Sequence, residues 1–437
     1  MALISVLEYG KLHIGELDPE RPAVTKEHAS QLRRLKGLHG FDIFKLANEH
    51  TLSAQQYVGA VQVGTLTVEV LPKIEGMDDG TAIRQNLVAM LAVALSLDVS
   101  EGDVARVATQ NHSILEILVR LFCDKLFAQV HKGLVRRYEA RAENLSVLRG
   151  KLGVTEQIRL NAAHPERLFC RFDEFQEDTP LNQILKAAVR LLLRTSRALA
   201  NQRLLSELML VFEAVTDMPR HALPWNKISF DRLNDRYLPC FKLAELFLRN
   251  TPPDVNGGQS HGYSLFFDMN SLFEEYIGHI AMREFRSDRL RVTLQGPRRH
   301  LTVDDTTGKD AFAMRPDVVA LAGDQAAWII DTKWKRLSRE EARDGVSHVD
   351  LYQMYAYAHS YDCSKVMLLY PHHAGMGPQA GLRKSFRLQR PPAHAALGEV
   401  SCISVATVDL RDLKTVAAQL RAIVSPQSTP VTEKVYA

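Results

Sequence analysis

Between residues 58 and 71 the chain sets Val58, Val61, Val63, Leu66, Val68, Val70 and Leu71 in a β-branched run, punctuated by Gly59 and Gly64 and closed by Pro72. β-Branched side chains are stiff at χ1 and suit extended backbone. The alternation of apolar with small or polar positions over 61–71 predicts a half-buried hairpin. A helical stretch over 25–38 interrupts this β-rich beginning. From residue 83 the period changes. Leu87, Met90, Leu91, Ala94 and Leu95 recur at three and four, as do Leu115, Leu118, Val119, Phe122 and Leu126, and then Ile184, Leu185, Ala188, Leu191 and Leu192. That spacing predicts amphipathic helices and a mostly helical middle. The Pro-, Gly- and polar-rich interval 251–261 reads as a linker.

Beyond it the pattern alternates. A helix is expected over 269–285, strands near 291–294, 315–322 and 326–332, a helix over 349–360, and a strand over 365–370. A strand over 403–409 and a helix over 410–423 close the series. This α-β-β-β-α-β order implies a mixed sheet flanked by helices. The fold class is therefore a multidomain α+β or α/β chain. The expected divisions are a β-rich domain at 1–80, a helical domain at 81–255, an α/β domain at 256–425 and a loose tail at 426–437.

Composition narrows the function only a little. The chain has 437 residues, 46% of them hydrophobic, enough for two or three domains with sizeable cores. With 54 basic and 51 acidic residues the formal charge is +3, so any nucleic-acid face has to be local. The five cysteines are dispersed, which suits reduced thiols better than a disulfide framework or a zinc site. No signal peptide and no apolar stretch of membrane-spanning length is legible, so a cytoplasmic protein is expected. The G-x-x-x-x-G-K-S/T phosphate loop is missing; nucleotide hydrolysis would belong to a partner. His372-His373 reads as a loop pair without further ligands at metal spacing.

The candidate chemistry lies in the last third. Arg315-Pro316-Asp317-Val318-Val319 is followed by the apolar segment Trp328-Ile329-Ile330-Asp331-Thr332-Lys333. In a strand, residues two apart face the same side, so Asp331 and Lys333 share one site. The interval between Asp317 and Asp331 allows a turn that brings both carboxylates to one end of a hairpin. Two carboxylates suit Mg²⁺, or Mn²⁺, which prefers oxygen ligands. Such an ion acidifies a bound water and neutralises charge on a phosphate, and a neighbouring lysine stabilises an oxyanion or takes a proton; the sequence leaves both roles open. Upstream, Glu274 opens a helix and is a further candidate ligand. Downstream, Gln353 and Tyr357 fall on one helical face. Lys335 and Arg336, directly after the strand, and Arg298 and Arg299 are candidates for contacts with a phosphate backbone. A D-x-K triplet alone is weak; the Pro-Asp partner and the flanking helices give it weight.

Taken together, Glu274, Pro316-Asp317, Asp331-Thr332-Lys333 and Gln353-x-x-x-Tyr357 resemble the PD-(D/E)xK nuclease superfamily. The wider chain resembles the McrC-like nuclease subunits of McrBC modification-dependent restriction systems. That likeness extends through Glu69-Val70-Leu71-Pro72-Lys73-Ile74, Leu148-Arg149-Gly150-Lys151-Leu152, Cys170-Arg171-Phe172-Asp173-Glu174-Phe175, and Phe267-Asp268-Met269-Asn270. The resemblance implies a metal-dependent endodeoxyribonuclease that makes double-strand breaks. It also implies a McrB-like AAA+ partner that hydrolyses GTP and recognises methylated double-stranded DNA, contacted through the N-terminal region. Because one such site cuts one strand, self-association through the nuclease domain is expected. Rival readings are a free-standing repair or junction nuclease of the same superfamily, and a non-catalytic activator of an AAA+ ring.

Overall fold

The computed structural model describes residues 2–16, 21–64, 66–97, 113–250, 264–286, 289–388 and 402–424. The expected linker and tail lie outside them. The chain divides into two compact units, Met1–Ile114 with Phe266–Ala437, and Leu115–Leu265. This redraws the expected divisions, because the β-rich beginning and the α/β last third fall in one unit. Periodicity shows that a face is apolar but not which segment covers it. Here Phe266 joins Val6, Val61, Val68 and Val70 in one core, and helix Gly80–Ala94 packs on helix Met269–Glu284.

In the first unit, β1 (Ala2–Leu7), β2 (Lys11–Ile14), β3 (Ala23–Val24), β4 (Phe44–Asn48), β5 (Thr51–Ala54), β6 (Tyr57–Val63) and β7 (Leu66–Leu71) precede the helix Gly80–Ala94. Strands β6 and β7 form the predicted hairpin, with Val63 opposite Leu66 and Val61 opposite Val68. It is buried almost throughout rather than on one face. Helix Lys26–His39 packs on β6 and helix Gly80–Ala94 on β7. The first of these is capped by Thr25, whose hydroxyl accepts from the His28 N–H, and ends at Gly40 in the left-handed region, φ 78°. Two-sided burial takes Glu69 out of water completely. Its carboxylate is satisfied by Arg84 at 2.7 Å, the Ser5 hydroxyl at 3.0 Å and the Ile114 N–H at 2.7 Å.

The second unit carries helix Ile114–Val130 from Leu115 onward and helix Pro180–Thr195 at the expected apolar stripes, and helices Leu199–Val211 and Leu238–Asn250 in the stretch expected to be mostly helical. It also holds an unexpected three-stranded sheet of β8 (Arg137–Leu145), β9 (Lys151–Leu152) and β10 (Leu168–Gln176), in the order β8-β10-β9. The pairing of β8 with β10 runs from Leu168↔Leu145 to Gln176↔Arg137. Strand β8 is exposed or half-exposed throughout, so it carries no apolar period to read. Ladder hydrogen bonds rather than burial hold it.

Returning to the first unit, β11 (Ser264–Asp268) completes the sheet β1-β7-β6-β11. Helix Met269–Glu284 follows, then β12 (Arg291–Leu294), β13 (Arg299–Val303), β14 (Asp310–Met314), β15 (Val318–Ala322), β16 (Gln325–Thr332), β17 (Lys365–Pro371), β18 (Gly381–Arg387) and β19 (Cys402–Val408). Six of these make a mixed sheet in the order β12-β15-β16-β17-β19-β18. Strands β12, β15 and β16 form an antiparallel meander. Helix His348–Ser360 then crosses over so that β17 runs parallel to β16. The hairpin β13–β14 and the edge strand β18 were not expected. The last helix, Val416–Val424, starts later than the sequence suggests, because Asp409 and Asp412 fold the preceding residues into turns by accepting from Arg411 and Lys414 N–H groups.

Candidate active site

The meander brings the two aspartates together. The pairing Val318↔Ile330, carried one residue further, sets Asp317 opposite Asp331 at the open end of β15 and β16. Pro316 has no N–H, so its position just before the strand costs no ladder bond. Asp331 is 1% exposed, whereas the Lys333 side chain beside it is 26% exposed and reaches solvent. The Lys333 ammonium pairs with Asp331 Oδ2 and donates to Gln353 Oε1 at 3.2 Å. Gln353 stands on helix His348–Ser360, which Ser347 caps by accepting from the Asp350 N–H. Its amide nitrogen donates to the Tyr357 hydroxyl at 2.8 Å and to Asp331 Oδ1 at 3.3 Å. One glutamine thus bridges the lysine and the buried acid, and Tyr357, buried below it, aims that amide.

Asp317 is anchored differently. Its Oδ2 accepts both the N–H and the hydroxyl of Thr332 at 2.7 Å. Thr332 is the spacer of the D-x-K triplet, and alternation gives it no functional signal because its side chain points away from Asp331 and Lys333. Glu274 lies in the second turn of helix Met269–Glu284 and accepts from the Gln295 amide at 2.9 Å. Gln295 sits at φ 52° just after β12, a position that the sequence did not single out.

The electrostatics are those of crowded carboxylates. Burial, then the charge of Asp331, pushes Asp317 up to about 6 despite the Thr332 donors. Asp331 is also raised, by burial, against the pull of Lys333. Glu274 is raised by burial and by Asp317. For Lys333, burial favours the neutral amine, but Asp331 and Asp317 outweigh it and its pKa rises. Two buried acids that resist ionising side by side form a donor set in which a hard dication relieves the repulsion. Asp331 Oδ2 meets the Lys333 ammonium and has no other donor among the described residues. Among the described residues no group of three or more His, Cys, Asp or Glu is arranged around one point to hold an ion. The fit is thus a two-carboxylate one, with Glu274 turned to Gln295.

The basic candidates are placed in structural contacts. Lys335 donates to the Gly345 carbonyl at 3.0 Å, and Arg336 pairs with Glu75 at 3.1 Å. Arg299 donates to the Ser360 carbonyl and lies over the Tyr361 ring. Arg298 is exposed. The histidine pair lies in the loop after β17, as expected, and is buried there: His372 lies between Thr407 and the Gly377 carbonyl, each at 3.0 Å, and His373 contacts the Leu337 carbonyl at 2.7 Å.

Fold and site together define a mixed α/β protein with a buried aspartate pair, a lysine and a glutamine at the mouth of a sheet. The chain belongs to the family described as McrBC 5-methylcytosine restriction system component, whose model matches residues 52–371. A search of curated proteins gave no match. Among solved structures, the fold is similar to a chain in the refined half-complex from a tetradecameric assembly of Thermococcus gammatolerans McrB AAA+ hexamers with bound McrC. The TM-score is 0.69 at 21% identity, covering 97% of this chain and 100% of that one. A second likeness is to the cryo-EM structure of the Thermococcus gammatolerans McrBC complex, with a TM-score of 0.52 at 24% identity over 65% of this chain and 88% of that one. Among the described residues, no helix is long and apolar enough to cross a membrane.

Proposed function

We propose that this chain is the DNA-cleaving subunit of a modification-dependent restriction system, a PD-(D/E)xK endonuclease that works with a McrB-like AAA+ GTPase. The observation that carries the chemistry is the Asp317–Asp331 pair with Lys333 held between Asp331 and Gln353. Family membership carries the restriction context, and the similarity to a structure of McrB hexamers with bound McrC supports the motor partner.

Asp317 and Asp331 would hold Mg²⁺ or Mn²⁺, and Glu274 would join them only by giving up its contact with Gln295. The ion supplies an acidified water and charge neutralisation at the phosphate. The Lys333 ammonium, fixed by Asp331 and Gln353, faces the scissile phosphate as a preorganised positive charge. Gln353 orients the lysine, and through its Tyr357 contact keeps its own amide from flipping. Arg298 is free to meet the phosphate backbone. Lys335, Arg336 and Arg299 would join it only by exchanging their present partners. Two surfaces suit the partner: the exposed Leu3, Leu7 and Tyr9 of the N-terminal strands, and Tyr138, Val147, Leu148, Ile158 and Phe175 on the second unit's small sheet and its flanks.

The test is plasmid cleavage with Mg²⁺ by wild type, Lys333→Ala and Asp331→Asn, alone and with the AAA+ partner and GTP, on methylated and unmethylated DNA. Cleavage of methylated DNA only with partner and GTP, lost in both variants, is the expected result. Equal cutting by the chain alone would replace this reading with a free-standing nuclease. GTPase stimulation without any cutting would leave an activator of the ring.

A further inference from the structure

Asp331 and Lys333 meet Gln353, whereas the next residue, Trp334, meets Glu8 and Phe273. Its indole N–H donates into the carboxylate of Glu8, at 3.0 Å to Oε1 and 3.1 Å to Oε2. Glu8 directly follows β1, is 4% exposed, and also accepts the Lys73 N–H at 2.9 Å, just past β7. The indole ring meets Phe273 edge-on, with centroids 5.5 Å apart, and Phe273 is the residue before Glu274. One side chain is therefore tied to the strand that carries Lys333, to the helix that carries Glu274, and to the N-terminal sheet.

Packing alone does not fix this ring. Glu8, Lys73, Ile74, Trp334, His373 and Leu410 line a cavity of about 350 Å³, which leaves room on one side of the indole. With a void there, the orientation of Trp334 rests on the Phe273 contact and on the hydrogen bond to Glu8. A carboxylate as deeply buried as Glu8 has to find donors, and the indole is one of two. Burial lifts the Glu8 carboxyl to about 7, so an uncharged amide is a close substitute for it.

We propose that Glu8 is a positioning residue of the hydrolytic site, acting through Trp334 to hold Lys333 and Glu274 in register. This rests on the reading of Asp317, Asp331 and Lys333 as that site. Glu8 itself stands apart from the reacting atoms, in a segment whose sequence pattern suggested only a small β domain.

The experiment uses the full chain with its AAA+ partner, GTP and methylated DNA, and measures kcat and KM for wild type, Glu8→Ala, Glu8→Gln, Trp334→Phe and the Glu8→Ala/Trp334→Phe double variant. Glu8→Ala is expected to lose at least about tenfold in kcat, the scale of a small misplacement at a reacting centre, with KM for DNA and co-elution with the partner unchanged. Glu8→Gln keeps an amide oxygen for Trp334 and Lys73, and is expected to restore most of the rate. Trp334→Phe keeps an aromatic ring and removes the donor; it should fall with Glu8→Ala, and the double variant should be no worse than the worse single one. Additive losses, or a Glu8→Ala variant that cuts at the wild-type rate, overturn the positioning role. A wild type that cuts nothing under these conditions overturns the parent reading instead, which separates the two failures.

Discussion

The aspartate pair sets a measurable link between pH, metal and stability. Asp317 moves from an ordinary value of 3.8 to about 6 in the folded chain. A carboxyl with a raised folded pKa binds more protons when folded than when unfolded. Its contribution is therefore most favourable below about pH 4 and is lost as pH rises through about 6. A rise of that size corresponds to about 3 kcal/mol, at roughly 1.4 kcal/mol for each tenfold change in proton affinity, and is an upper figure because Asp331 titrates with it. Metal-free wild type and Asp317→Asn would be compared by urea unfolding from pH 4 to pH 8, with Asn retaining an oxygen for the Thr332 donors. Wild type is expected to lose up to about 3 kcal/mol relative to the variant across that window. Added Mg²⁺ should recover stability at pH 7.5 in wild type, and far less at pH 4.5, where protons compete for the same oxygens. A wild-type–variant difference that stays flat with pH, or that moves in favour of wild type as pH rises, would refute the crowded-carboxylate account.

Other consequences are open to simple assays. Arg84→Ala strands the fully buried Glu69 with only the Ser5 and Ile114 donors, and should cost about 3 kcal/mol or more by denaturant unfolding, whereas a neutral outcome would mean that water reaches Glu69. Gln353→Ala removes the bridge between Lys333 and Asp331 and is expected to lower cleavage by about tenfold or more at unchanged DNA affinity, with Tyr357→Phe milder. Gly150→Ala places a Cβ 2.5 Å from the Arg171 carbonyl at a backbone φ of +69°; hydrogen exchange around the small sheet should report a loss of at least about 2 kcal/mol there, and unchanged protection would show that the loop yields.

What the sequence revealed followed from period and from chemistry at short range. Strand β16 was legible from Trp328-Ile329-Ile330 with its terminal acid, the Asp317 partner from its spacing, and Gln353 and Tyr357 from one helical face. Strand β8 was not legible: Arg137-Tyr138-Glu139-Ala140-Arg141 exposes both faces, and only its pairing with β10 gives it extended form. Strand β10 did hold a signal, since Cys170 and Phe172 are buried on alternate positions between exposed ones. Thr332, Gln295 and Glu8 escaped for a common reason. Each acts through a contact with a residue distant along the chain, and neither composition nor period records such contacts. The protein partners of Lys335, Arg336 and Arg299 were not legible either, because charge along a chain does not show which carbonyl or carboxylate it meets.

The first compact unit is assembled from Met1–Ile114 and Phe266–Ala437, with the second unit interposed in sequence. On the ribosome its opening strands therefore emerge long before the residues that complete their sheet and core. Strand β6 meets β11 only after the whole interposed unit has been made, and Glu8 waits for Trp334 longer still. Until then the early segment presents an unfinished apolar surface, a state prone to self-association. A fragment cut to the last third alone would carry the converse defect, with Trp334, Arg336 and helix Met269–Glu284 stripped of the groups that receive them. Attempts to isolate the half that carries the aspartate pair should therefore keep the first 114 residues and join them to the last third in place of the interposed unit.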